Sequence, residues 1–170
     1  MRTKAISDGT VRIKDLRLKD EQSDVQIFTL NIPDSTMSLH ATSVCWNSSG
    51  TSILSSTGSG YVGLIDVRVD GGDLRSLLQA HTTPCYGAMF TKGDSDCITW
   101  SSDGNIKLWK DIHVSEGILD VPAKTKAFGN SYPVYSCAIS PEDGSIACAG
   151  GISTAFLGTP IHIIPLDAFC

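Results

Sequence analysis

Sliding the sequence past itself by 44 residues lays positions 40–66 over positions 84–110 without a gap. In that frame Val44-Cys45-Trp46 meets Ala88-Met89-Phe90, Ile53-Leu54-Ser55 meets Cys97-Ile98-Thr99, and Gly60-Tyr61-Val62-Gly63-Leu64 meets Gly104-Asn105-Ile106-Lys107-Leu108. Few residues are identical, but residue class is kept throughout. A further shift of 49 places Pro84-Cys85-Tyr86-Gly87-Ala88-Met89-Phe90-Thr91 over Pro133-Val134-Tyr135-Ser136-Cys137-Ala138-Ile139-Ser140. A unit recurring at this spacing marks a repeat architecture, in which each copy buries its apolar face against its neighbour.

Each copy reads as an apolar strand, a polar turn, a second strand, a tight turn and a third strand. The polar turns are Asn47-Ser48-Ser49-Gly50, Lys92-Gly93-Asp94 and Pro141-Glu142-Asp143-Gly144. The third strand ends at Ile65 in one copy and at Trp109 in the next, and a weaker fourth strand follows over 73–78 and 117–121. No segment sustains a 3.6-residue apolar period over three helical turns, so the chain is all-β. Residues 6–16 and 25–30 match only the last half of a unit, which makes the chain begin inside a repeat.

Two turn-and-strand stretches carry a family resemblance: Ser101-Ser102-Asp103-Gly104-Asn105-Ile106-Lys107-Leu108-Trp109-Lys110, and the near copy Ser7-Asp8-Gly9-Thr10-Val11-Arg12-Ile13-Lys14-Asp15. With four strands in roughly 40 to 45 residues, the unit resembles a blade of the WD-repeat β-propeller family. The resemblance implies a buried hydrogen-bonded tetrad of His81, Thr99, Asp103 and Trp109. Indole donor, hydroxyl, imidazole and carboxylate can then close a chain with no polar group left over. Elsewhere the pattern lapses: the second-strand hydroxyl is Ser55 in one copy and Cys148 in another, the Trp is Lys14 or Ile65, and the His position holds Met37 or Asn130. The expected architecture is a partial propeller spanning 1–170: a partial blade over 1–31, blades over 37–79 and 81–121, and an incomplete blade over 130–170. A closed ring protects its strand edges and an open arc does not, so a fragment of a larger propeller or a self-pairing partial ring is expected.

Catalytic chemistry finds no foothold in the sequence. His40, His81, His113 and His162 pair with none of the six cysteines (Cys45, Cys85, Cys97, Cys137, Cys148, Cys170) in a nucleophile motif, and Cys85 begins an apolar strand. No C-x-x-C spacing suggests zinc, and several cysteines fall on apolar strand sites, which reads as reduced, buried thiols. Gly58-Ser59-Gly60 sits between two strands, where glycine serves hairpin geometry rather than a phosphate cradle. Asp8 and Asp103 precede glycine in tight turns, where Asp caps the turn with its own side chain. A non-enzyme with no cofactor and no metal is expected.

Other proteins are the expected partners. The 18 acidic and 13 basic residues are scattered, giving a net charge of −5 with no basic stripe for nucleic acid. No signal segment or membrane span is seen, which points to an intracellular protein, cytoplasmic or nuclear. Two surfaces stand out. Ile65-Asp66-Val67-Arg68 resembles the end of the motif by which WD-repeat substrate receptors of cullin-4 ubiquitin ligases contact their adaptor, which would make Asp66 and Arg68 partner-binding and Arg68 the contact. Lys14-Asp15-Leu16-Arg17 keeps only the Asp-x-Arg part, and Ser59 stands where that motif has an upstream Asp. An ordinary strand end with a solvated ion pair is the alternative. The long connection 151–160 carries Phe156 and Leu157, either as a loop packing its own side chains or as a partner-binding tip. Loops 69–73, 111–116 and 152–160 are the expected contact regions of a protein-assembly scaffold; an RNA-processing or chromatin complex is a further setting that WD-repeat proteins share.

Overall fold

The computed structural model describes residues 2–5, 10–15, 17–18, 24–30, 40–69, 73–113, 117–119, 124–127, 132–150 and 161–169. The first sheet holds β1 (Arg2–Ala5), β2 (Thr10–Lys14) and β3 (Asp24–Thr29), in that order and antiparallel. The second is a meander of β4 (Ala41–Trp46), β5 (Ser52–Thr57), β6 (Tyr61–Asp66) and β7 (Asp73–Gln79). The third is built on β8 (Cys85–Phe90), β9 (Cys97–Ser101) and β10 (Asn105–Trp109). Two short strands, β11 (Gly117–Leu119) and β12 (Lys124–Ala127), precede the last sheet of β13 (Val134–Ile139), β14 (Ile146–Gly150) and β15 (Ile161–Ile164). A 3-10 turn, Leu166–Phe169, follows. No helix among the described residues is long and apolar enough to cross a membrane.

Two strand assignments differ from the sequence reading. The outer strand of the third sheet is β12, which runs antiparallel to β10, and not the stretch 117–121. Within that stretch, β11 pairs in parallel with β7 and becomes a fifth strand of the second sheet. The connection after Trp109 is long enough to visit the neighbouring sheet, where β11 covers backbone groups that β7 would otherwise leave open as an edge. The first sheet likewise gains β1, which the half-unit match over 6–16 and 25–30 did not include.

Alternation lets a sheet pack one face on the sheet before it and the other on the sheet after, as the second and third sheets do. Val11, Ile13, Phe28 and Leu30 of the first sheet meet Ile53 and Ile65 of the second. The opposite face of the second sheet (Leu54, Val62, Leu64, Leu78) meets Ala88, Phe90, Cys97 and Trp109 of the third. Ile98, Trp100, Ile106 and Leu108 then meet Val134, Cys137, Ile146 and Cys148 of the last. Polar bonds tie the same neighbours together: Gln26 Nε2 donates to the Val67 carbonyl at 3.2 Å, Ser48 donates to Asp94, and Trp100 Nε1 donates to the Tyr135 carbonyl at 3.4 Å.

Turn glycines set the spacing between sheets. Gly60 and Gly104 occupy the same tight turn in successive units, with φ of 87° and 78°. A Cβ at either would collide with backbone of the next unit's entry loop, the His81 carbonyl in one case and the Tyr132 carbonyl in the other. Glycine therefore supplies both the left-handed turn and the close approach.

Candidate functional site

The third sheet assembles its polar site from four pieces of chain. His81 N donates to the Gly60 carbonyl at 3.0 Å, which anchors the entry loop to the preceding unit and holds the imidazole over β9. Thr99 lies in β9, every residue of which is buried. Asp103 opens the tight turn, its Oδ1 accepting the Asn105 amide at 2.9 Å, and Trp109 ends β10. His81 Nε2 lies 2.9 Å from Thr99 Oγ1, His81 Nδ1 lies 3.0 Å from Asp103 Oδ2, and Trp109 Nε1 donates to Thr99 Oγ1 at 3.0 Å.

One proton arrangement satisfies all four groups. The indole N–H donates to the hydroxyl, the hydroxyl donates to Nε2, and Nδ1–H donates to the carboxylate, so the imidazole is neutral. Burial pushes the His81 pKa down and outweighs the nearby carboxylate. Burial acts to raise Asp103, but the His81 and Asn105 hydrogen bonds outweigh it and leave that group lowered. Both shifts have the same consequence, because protons bind the unfolded chain more readily than the folded one. Stability is complete above the ordinary imidazole value near 6.5 and falls as pH drops below it, falling again as Asp103 titrates in acid. Thermal melts between pH 8 and 5 are expected to show the first decline, and His81→Gln is expected to remove it; an unchanged decline in that variant would contradict the assignment.

The corresponding position meets a different fate in each neighbouring sheet. Ser55 takes the place of Thr99 in the second sheet, but the indole is replaced by Ile65, and the fully buried Ser55 Oγ has no hydrogen-bond partner among the described residues. In the last sheet Cys148 takes that place. There Ile164 stands at the Trp109 position and Cys137 Sγ donates to Cys148 Sγ at 3.3 Å. Met37, Asn130 and the Asp8 turn lie outside the described residues.

Asp66 and Arg68 meet each other directly. The buried Asp66 carboxylate accepts Arg68 N and Nε, each at 3.0 Å, and Nη2 at 2.6 Å, with Arg75 Nη2 at 3.4 Å. Asp15 and Arg17 repeat this hook, with the Arg17 amide at 3.0 Å and Nη2 at 2.6 Å. The guanidinium holds each Asp carboxyl well below the usual carboxylate range. Arg68 thus lies at the surface, 67% exposed, with its fork turned back onto its own strand end. Phe156, Leu157 and the loop 152–160 lie outside the described residues, as do parts of loops 69–73 and 111–116. No group of three or more His, Cys, Asp or Glu among the described residues is placed to hold a metal ion.

The structure also brings out a surface that the sequence reading passed over. On the outward face of the last sheet, Ala138, Ala147 and Ile163 form one cross-strand row and Ser136, Ala149 and Ile161 the next. Ile161 and Ile163 are each 74% exposed. Strand register places them where Ile106 and Leu108 lie in the third sheet, and those two are sealed by the sheet that follows. The alternation Ile161-His162-Ile163 carried this signal, but alternation alone cannot say which face lies uncovered.

The sequence matches no protein-family model and no curated protein. A chain in a solved structure, the crystal structure of the mitotic checkpoint complex, is similar to this one with a TM-score of 0.74 and 19% identity, over 99% of this chain and 45% of that one. At that identity the likeness is one of fold. The protein is an all-β chain whose stacked sheets form part of a WD-repeat-like β-propeller.

Proposed function

We propose that the protein is a non-catalytic scaffold on which other proteins assemble. The observation that carries this reading is the outward face of β13, β14 and β15, an apolar surface built like the faces that the fold buries elsewhere. A partner offering an apolar strand face would cover it as the third sheet's outward face is covered. The polar groups best placed for chemistry are committed to structure: His81, Thr99 and Asp103 to the tetrad, Asp66 and Arg68 to each other. The partners in this reading are proteins, not nucleic acid or membrane, and the setting is the cytoplasm or nucleus.

A second reading, substrate receptor of a cullin-4 type ubiquitin ligase, is favoured by one feature. Arg68 is displayed at a strand end in a pose fixed by the buried Asp66. Affinity purification with mass spectrometry separates the two. A scaffold retains its complex when Arg68→Ala is introduced, which is the expected result, whereas a receptor loses its adaptor. Circular dichroism of Arg68→Ala checks the fold, because the variant strips the buried Asp66 carboxylate of that guanidinium and leaves it the residue 68 amide and Arg75.

A further inference from the structure

We propose that Cys137 and Cys148 are a modification site, a dithiol that closes to a reversible cross-strand disulfide when the protein meets a peroxide. The two residues are direct register partners on β13 and β14. Opposed residues of an antiparallel pair have Cα atoms about 4.5 to 5.5 Å apart, inside the range that a disulfide spans. Their sulfurs lie 3.3 Å apart, so side-chain rotation rather than backbone movement brings them to bonding distance. Two of the other described thiols point at backbone carbonyls: Cys85 at those of Gly87 and Trp100, and Cys45 at that of Trp46.

Cys148 stands where the third sheet has Thr99, and Cys137 where it has Ala88. With Ile164 in place of the indole, the second-strand group has lost its N–H donor, and the facing Cys137 S–H donates in its place. The hydrogen bond to Cys148 and burial hold the proton on Cys137, and accepting that bond draws the Cys148 thiol down. Cys148 is then the sulfur that reacts first. Its thiolate attacks one peroxide oxygen, the O–O bond breaks, and hydroxide leaves to become water, giving a sulfenic acid. Cys137 sulfur attacks that sulfenic sulfur, the S–S bond forms, and the oxygen leaves as a second water. Two thiols lose two electrons and two protons, and one peroxide becomes two waters. Both side chains are buried, at 8% and 2% exposure, so a reagent of nearly water size is the fitting oxidant. The closed bond would tie β13 to β14, the strands that carry Ala138 and Ala147 on the opposite face.

The test uses the full chain with Cys170→Ser, which leaves a single cysteine on each side of Glu142 in the relevant peptides. The protein is treated with hydrogen peroxide, alkylated with N-ethylmaleimide, and cleaved after Glu142 without reduction. The peptides flanking Glu142 are expected as one linked species, two hydrogens lighter than their sum and released by dithiothreitol. The oxidised protein is expected to melt roughly 5 °C higher than the reduced one. Cys148→Ser should abolish both effects. Alkylated cysteine at both positions after peroxide, sulfinic acid at either, or linkage of either to Cys45, Cys85 or Cys97 would overturn the proposal.

Discussion

Thr99→Val is expected to lower the unfolding free energy by about 3 kcal/mol, whereas Ser55→Ala, at the equivalent position one unit earlier, is expected to leave it unchanged or raise it slightly. Thr99 both accepts the Trp109 indole N–H and faces His81 Nε2, so an isosteric methyl strands a buried donor and a buried acceptor together. Each stranded group costs on the order of 1–3 kcal/mol, and the linked chain running on to Asp103 weakens as well. Ser55 Oγ is equally buried but lacks a hydrogen-bond partner among the described residues, so its removal relieves a desolvation penalty at the expense of one small cavity. Paired denaturant titrations measure the contrast. Similar losses for both variants would show that packing at this position, and not polar satisfaction, sets its energy.

Purified alone, the protein is expected to self-associate at micromolar concentrations, and the double substitution Ile161→Lys with Ile163→Lys to weaken that association by about 100-fold or more. Fully burying an isoleucine side chain stabilises by roughly 1.5–3 kcal/mol, and two of them are displayed side by side on one sheet face. A second copy is the apolar partner present in such a preparation, and lysines on that face would have to be desolvated to remain in contact. Both residues are exposed, so the substitutions should leave the melting temperature of the fold nearly unchanged. Sedimentation velocity across a concentration series reads the outcome. A monodisperse monomer for the unsubstituted chain would remove the basis for assembly through this face.

Much of the fold was legible because the repeat writes each strand and turn more than once. The Asp103-Gly104 turn and the apolar strands β9 and β10 follow from residue types at fixed spacing, whereas the meeting of His81, Thr99, Asp103 and Trp109 is what the family resemblance implied. The misread strands show where spacing runs out. Two short stretches, Gly117–Leu119 and Lys124–Ala127, follow the third sheet, and side-chain pattern alone does not say that β11 pairs with β7 while β12 pairs with β10. The Asp66–Arg68 pair was named as a surface motif, but the turning of Arg68 back onto its own carboxylate depends on the strand-end backbone.

By itself the sequence determined the all-β repeat and the phase of the strands it repeats, because these depend on side-chain type at short range, and the tetrad of the third sheet came from the family resemblance. Only the tertiary structure decided what happens where the repeat lapses. Whether Ser55 is orphaned, whether Cys148 faces another thiol, and whether Ile161 and Ile163 are sealed or left open depend on the strand or sheet placed opposite them. That placement is a long-range property: the same alternation buries Ile106 and Leu108 and exposes Ile161 and Ile163, and the difference lies in the neighbouring sheet.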